Sequence, residues 1–327
     1  DSIYEAYELL KAHIKTPILI MGYIDPENLK VKRLPFPYAV WNLELARAIN
    51  KYQSHSGVHL FVDSGMGREG VGVDELPRFL EQFKNIPNLK VEGLMSHLAS
   101  GELPGDPLTK LQIKNFQKAQ DIVKKFGIIP KWIHLSNSGG VFNNLNPGCN
   151  MTRVGLALYG IDPLPSTSLR ANKVSEVISS INEIASSSST PRDDGLRPVL
   201  KLTTKIIQIK TLQKGDGVGY NGTFTATRSM RLGVLPIGYY DGVDRRSSNK
   251  GYVTVDKIEC PIAGLVSMNV TTIDLSTVKN PHIGQNVCIY SSNPNDKNSI
   301  ENTAEICKTI PYDLLVHLAS STKRVIV

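Results

Sequence analysis

The sequence predicts an α/β domain with a parallel sheet, followed by an all-β domain. Three observations carry that expectation. Through residue 163, short apolar runs alternate with segments of helical period. A serine-rich stretch over 164–199 then breaks the pattern, and from Leu200 the runs become short, alternating and punctuated by glycine.

Taken in order, DSIYEAYELLKAHI reads as a helix and PILIMGY as a buried strand. PYAVWN is a second strand, followed by the helical LELARAINKY. VHLFVD leads through a glycine-rich turn to a helix near DELPRFLEQF, with Asp74 as its N-cap. VEGLMSHL, the helix within LTKLQIKNFQKAQDIVKKFG, WIHLSNS and TRVGLALYGI complete the series, for six strands. Residues 164–199 end in a turn-forming cluster and read as a linker or insertion. The strands expected over 200–327 are KLTTKIIQIKTL, KGDGVGY, MRLGVLPIGY, GYVTVD and QNVCIYSS, with one helix near ENTAEICKTI and a final strand after it.

Composition excludes several classes. A hydrophobic content of 41% and a charged content of 20% are ordinary for a globular chain, and no run reaches the roughly 18 apolar residues of a membrane span. The four cysteines are far apart with no CxxC pair, which argues against a zinc site or disulfide framework and fits a reducing, cytoplasmic setting. The net charge of +7 is scattered and little interleaved with aromatics, so neither a nucleic-acid nor a membrane partner is expected, and no metal.

One turn draws attention. Gly65-Met-Gly67-Arg68-Glu-Gly70 spells G-x-G-x-x-G after a strand. A dinucleotide loop would start its helix inside the motif, with an acidic residue about 20 positions on. Here the turn continues through VGV, and Glu92 lies at the start of the next strand-like run. A purely structural turn, and a βα loop presenting Arg68 to an anion, both stay open.

Seven motifs in order resemble the alanine racemase family: FVDSGMGREGVG, GLMSHLASGE, IHLSNSGG, MTRVGLALYGIDP, QKGDGVGYNGTFTA, VLPIGYYDGVDRR with PIAGLVSMN, and TIPYD. The resemblance covers the whole chain except the serine-rich stretch. It implies a TIM-type (β/α)8 barrel over 1–163 with a C-terminal β domain over 200–327. It also implies pyridoxal phosphate (PLP) as cofactor and a homodimer with shared sites. The implied reaction is interconversion of L- and D-alanine, which supplies D-alanine for uses such as peptidoglycan. The family's PLP lysine lies in a Lys-Ala-Asn-Ala-Tyr-Gly-like segment that is not found here. The expectation is therefore that the first two βα units are missing and that the chain is inactive as it stands, with an inactive or altered-specificity PLP-binding relative as the alternative.

The resemblance also implies roles. Tyr220 would be one base, set against His97, and His97 against Arg153, which would face the PLP ring nitrogen. Ser138, the N–H groups of Gly155 and Leu156, and Tyr312 would hold the phosphate, with His134 and Asn137 beside them. Arg68 and the N–H of Met268 would take the substrate carboxylate, while Tyr239 and Tyr312 narrow an entrance that Arg245 and Ile310 also line. By residue type alone, Tyr220 reads equally as a strand tyrosine, His97 as a core histidine, Arg153 as a surface arginine and Ser138 as a helix cap. The chain departs from the family at Phe61, where a carbamylated lysine often stands beside the substrate arginine, and at Leu265 and Asn269.

Overall fold

The computed structural model describes residues 2–164, 196 and 198–326, which fall into two compact units. The first is built from the chain up to Ala157; the second takes Leu158–Asp162 and the C-terminal part. The expected linker over 164–199 lies outside the described residues except for Leu164, Leu196, Pro198 and Val199.

Helix α1 (Ile3–Lys11) opens on a capping box: Ser2 Oγ accepts from Glu5 N–H, and Glu5 accepts from Ser2 N–H. α2 (Leu43–Tyr52) is capped by Asn42, which accepts from Leu45 N–H at 2.7 Å. α3 (Leu76–Phe83) buries Leu76, Phe79, Leu80 and Phe83, the i, i+3, i+4, i+7 stripe of a helix packed on a sheet. Each such side chain, fully buried, contributes about 2 kcal/mol. Its N-cap is Glu75, not Asp74, whose carboxylate instead pairs with Lys118 at 2.6 Å. α4 (Pro107–Lys125) starts with proline at its first position, where no N–H is needed, and is capped by Asp106.

Between these helices runs a parallel sheet in the order β1 (Tyr38–Val40), β2 (Gly57–Asp63), β4 (Lys90–Met95), β5 (Trp132–His134). β3 (Val71–Gly72) pairs in parallel with the end of β2. Single bridges extend this run at both edges, Ile20 to Tyr38 and Met151 to His134, so six parallel positions are present. β2 is nearly continuous in apolar residues because it lies between β1 and β4 with both faces covered.

Two expected strands are thus reduced to bridges. PILIMGY pairs only at Ile20, although Leu19 and Met21 still pack on the apolar cluster of Ala39, Phe61 and Met95. TRVGLALYGI forms no ladder among the described residues: the bridge falls at Met151, one residue before it, and the chain then turns into a 3-10 helix over Leu156–Tyr159. Ser138 Oγ accepts from the N–H groups of Gly155 and Ala157, which draws the backbone out of a ladder.

The second unit is antiparallel. β13 (Thr271–Asp274), β10 (Met230–Leu235) and β7 (Gln208–Leu212) form one sheet. β12 (Ile258–Pro261), β11 (Tyr252–Val255), β14 (Asn286–Tyr290) and β6 (Leu202–Lys205) form another, and β8 (Gly217–Val218) pairs with β9 (Phe224–Thr225). β11 and β12 are joined by Asp256 and Lys257, both at positive φ as a two-residue hairpin turn requires. The helix near ENTAEICKTI spans Ile300–Cys307. The strand expected after it is instead a second helix, Pro311–Val316, because Pro311 fits a first helical turn and has no N–H for a ladder. Among the described residues no helix is long and apolar enough to cross a membrane.

Candidate active site

The first unit gathers chemistry at the C-terminal ends of its parallel strands, where α/β sheets place their sites. The G-x-G-x-x-G turn is not a dinucleotide loop. The residues after Gly70 form β3, not a helix, so no helix N-terminus faces a pyrophosphate. Asp63, ending β2, organises the turn: its Oδ1 accepts from the N–H groups of Gly65 at 2.9 Å and Met66 at 2.8 Å, and Oδ2 from Gly67 at 3.0 Å. Gly70 lets the chain pass back over β2. A Cβ there would lie 2.3 Å from Asp63 N, and its φ is +127°. Gly70→Ala is therefore expected to cost at least about 2 kcal/mol, read as a lower urea midpoint at unchanged m-value. An unchanged midpoint would show that the turn relaxes freely.

Arg68 stands at the tip of this turn with its side chain half-exposed, and its Nε–H donates to Glu69. The carboxylate partner that Phe61 does not provide thus comes from the next residue. Phe61 itself is buried with Ala39 and Met95, and its ring meets Trp41 edge-on at 5.8 Å.

Arg153 is the hub of the buried part. One terminal nitrogen donates to His134 Nδ1 and to His134 O. The other donates to Ser96 O, to Leu135 O at 3.3 Å and to His97 Nδ1 at 3.2 Å. Beyond His134, its Nε2 lies 2.8 Å from Nδ1 of His59 on β2. Burial, and then the Arg153 charge, push His59 and His97 down to about 4 and His134 further still. Burial also lowers Arg153 to about 10, so at neutral pH the hub is one cation among neutral imidazoles.

The loop bearing His97 is held from behind. Gln112 of α4 is fully buried; its Oε1 accepts from Ala99 N–H and its Nε2 donates to His97 O, each at 2.8 Å. Ser64 and Ser96 bond at 2.8 Å, and Asn115 donates to Ser64 O. Thr109 and Gln112 lie on the inner stripe of α4 with Phe116, Ala119 and Val123. Two polar residues on an apolar stripe were the sequence signal for this support. His59 also had a signal, sharing one face of β2 with Phe61 by strand alternation.

Asn137 caps α5 (Ser138–Phe142) by accepting from Gly140 N–H, and its Nδ2 donates to Leu98 O. Ser138 and the N–H of Gly155 are mutual neighbours at 3.0 Å, and Leu156 opens its 3-10 turn, where a first N–H has no partner within the helix. These groups suit an anion. Among the described residues the buried Arg153 Nε–H has no hydrogen-bond partner, an orphan donor that suits a pyridine nitrogen. The residues present therefore fit the PLP that the motifs imply.

In the second unit, Tyr220 opens a one-turn 3-10 helix after Gly219 (φ +70°) and is two-thirds exposed. Tyr239 N–H donates to Ser267 O and Tyr240 N–H to Met268 O, which places Tyr239 beside Met268; the Arg245 guanidinium lies 5.6 Å over the Tyr239 ring. Tyr312 is on the helix Pro311–Val316, whose Asp313 accepts from Arg246. Tyr220, Tyr239, Met268, Ile310 and Tyr312 are all exposed.

Comparison with known proteins agrees with both units. Residues 1–163 match the family model "Alanine racemase, N-terminal domain", and residues 199–326 match "Alanine racemase, C-terminal domain". The alanine racemase of Geobacter sp. (strain M21) is 31% identical over 332 residues, 98% of this chain and 81% of that protein. That of Borreliella burgdorferi (strain ZS7) is 34% identical over 335 residues, 99% of this chain and 81% of the other. Among solved structures, alanine racemase from Bacillus anthracis with bound L-Ala-P superposes with a TM-score of 0.80 at 27% identity, covering 97% of this chain and 77% of that one. The E. faecalis alanine racemase superposes at 0.79 with 26% identity, covering 97% and 80%. The fold is that of a TIM-like barrel with a C-terminal β domain, and the chain belongs to the PLP-dependent alanine racemase family.

Proposed function

We propose that this protein interconverts L- and D-alanine by a two-base mechanism, with sites shared across a homodimer. The observation that carries this reading is the Arg153 hub, whose buried Nε–H has no partner among the described residues while its other nitrogens are fully engaged. PLP, when bound, supplies the electron sink that acidifies the substrate Cα–H. Arg153 would face its ring nitrogen and, because a guanidinium holds its proton, leave that nitrogen unprotonated. Ser138, the N–H groups of Gly155 and Leu156, and Tyr312 would hold the phosphate, with His134 and Asn137 fixing that loop. Arg68 and the N–H of Met268 would orient the substrate carboxylate, and Tyr239 would limit the side chain to methyl size.

Tyr220 is the proton-carrying group on one face. To act as a base the phenol must first give up its proton, and the phenolate that results needs a donor to steady it. His97 provides one by elimination. Its Nδ1 faces a guanidinium nitrogen, which only donates, so the neutral ring carries its proton on Nε2 and can donate to a phenolate. No lysine of these 327 residues is assigned to the other face.

The test is racemisation of each alanine enantiomer by the PLP-saturated protein in deuterated water. Wild type is expected to convert both enantiomers with deuterium uptake at Cα. Tyr220→Phe is expected to lose interconversion while PLP still binds. Binding of PLP with no turnover of alanine, or turnover only of serine or larger amino acids, would instead favour an inactive or altered-specificity relative. The apolar surroundings of Phe61 give that second reading its specific support.

A further inference from the structure

His59 has no part in the roles above, yet the geometry places it at the inner end of the hub. It is 3% exposed, and Gly93 on β4 makes room for it: a Cβ at 93 would fall 2.2 Å from His59 Nδ1. His59 Nδ1 lies 2.8 Å from His134 Nε2, with the rings 5.0 Å apart at 64°.

Proton counting leaves one arrangement along this line. Arg153 only donates, so His134 Nδ1, which faces it, must be the acceptor. A neutral His134 then carries its single proton on Nε2 and donates to His59 Nδ1, and the His59 proton sits on its own Nε2. Were His59 unable to accept, the buried His134 Nε2–H would lose its partner and be left as an unsatisfied buried donor. That is enough to make the other tautomer competitive, and the other tautomer points an N–H at a guanidinium.

We propose that His59 is a positioning residue: by accepting from His134 Nε2–H it locks the His134 tautomer, and so keeps the Nδ1 lone pair on Arg153 and the guanidinium plane fixed. The consequence for catalysis rests on the proposed racemase reading; the tautomer does not. Long-range 1H–15N spectra of the 15N-labelled protein at pH 7.5 test it directly. Wild type is expected to show His134 and His59 both protonated on Nε2, with an N–N coupling across the hydrogen bond between them. His59→Asn, which keeps an oxygen near the Nδ1 position, is expected to retain the His134 pattern. His59→Leu is expected to give mixed or inverted His134 tautomers, with kcat for alanine down about tenfold and KM within twofold. A His134 protonated on Nδ1 in wild type, or an unaltered tautomer in His59→Leu, would overturn the proposal. If the variants do not fold, the wild-type coupling decides: its presence supports the proposal and its absence overturns it. Failure of the racemase reading would appear separately, as wild-type protein with the expected spectrum and no turnover.

Discussion

Arg153→Lys is expected to lower kcat for alanine racemisation by about two orders of magnitude, the loss typical of removing one preorganised donor from a reacting centre. Lysine keeps the charge but not the fork. The guanidinium serves His134, His97 and the carbonyls of Ser96, His134 and Leu135 at once, with Nε–H to spare. An ammonium has three donors that radiate from a point, so it cannot repeat that planar set. Arg153→Ala is expected to be worse, destabilising the first unit by about 3 kcal/mol, because several buried acceptors lose their donor together. The kinetic effect is read under saturating PLP and the stability effect by urea unfolding. Arg153→Lys at wild-type kcat would remove the arginine from the cofactor's ring nitrogen.

Acid is expected to begin unfolding the first unit near pH 6, before the carboxylates start to titrate. His97 and His59 are depressed to about 4 by burial and by Arg153, whereas in the unfolded chain they titrate near their ordinary value of about 6.5. Between those values the unfolded state binds protons that the native state refuses, so stability falls as pH falls. The contribution is fully present above pH 6.5 and is lost on the way to pH 4. His97 alone accounts for about 3 kcal/mol by pH 4, and His59 and His134 act in the same direction. Against a typical stability of about 5–15 kcal/mol, this places the acid transition between roughly pH 6 and 4. Urea midpoints taken at half-unit pH steps check it. Arg153→Met, destabilised at neutral pH as Arg153→Ala is, should show a shallower fall of its midpoint with pH, since the histidines lose a neighbouring positive charge and their depression is smaller. A transition near pH 3 in wild type would show that the imidazoles titrate normally.

Much of this was readable in the chain. LELARAINKY is a helix over the same ten residues, Leu43–Tyr52, because Asn42 caps it and its apolar residues fall on one face. VHLFVD is a strand because a continuous apolar run suits a strand covered on both faces. Where local patterns misled, long-range partners were responsible. Asp74 would cap a helix on local rules, but Lys118, distant in sequence, takes its carboxylate. TRVGLALYGI reads as a strand until Ser138 Oγ claims the N–H groups of Gly155 and Ala157.

The candidate site divides the same way. Arg68, His97, Arg153 and Ser138 stand in motifs that the family resemblance singled out, and their placement at strand ends follows from the βα order alone. His59 and Gln112 carried no such mark, being an imidazole in an apolar strand and an amide on an apolar stripe. By itself, then, the sequence determined the helices and central strands of the first unit, the run of short strands after Leu200 and the turn around Arg68, because periodicity, caps and glycines act within a few residues. Only the tertiary structure decided that His59 and His134, 75 residues apart, share a proton line ending on Arg153. The physical reason is that parallel pairing of β2, β4 and β5 brings strand ends together regardless of the chain between them, and burial there leaves each imidazole neutral with one place for its proton.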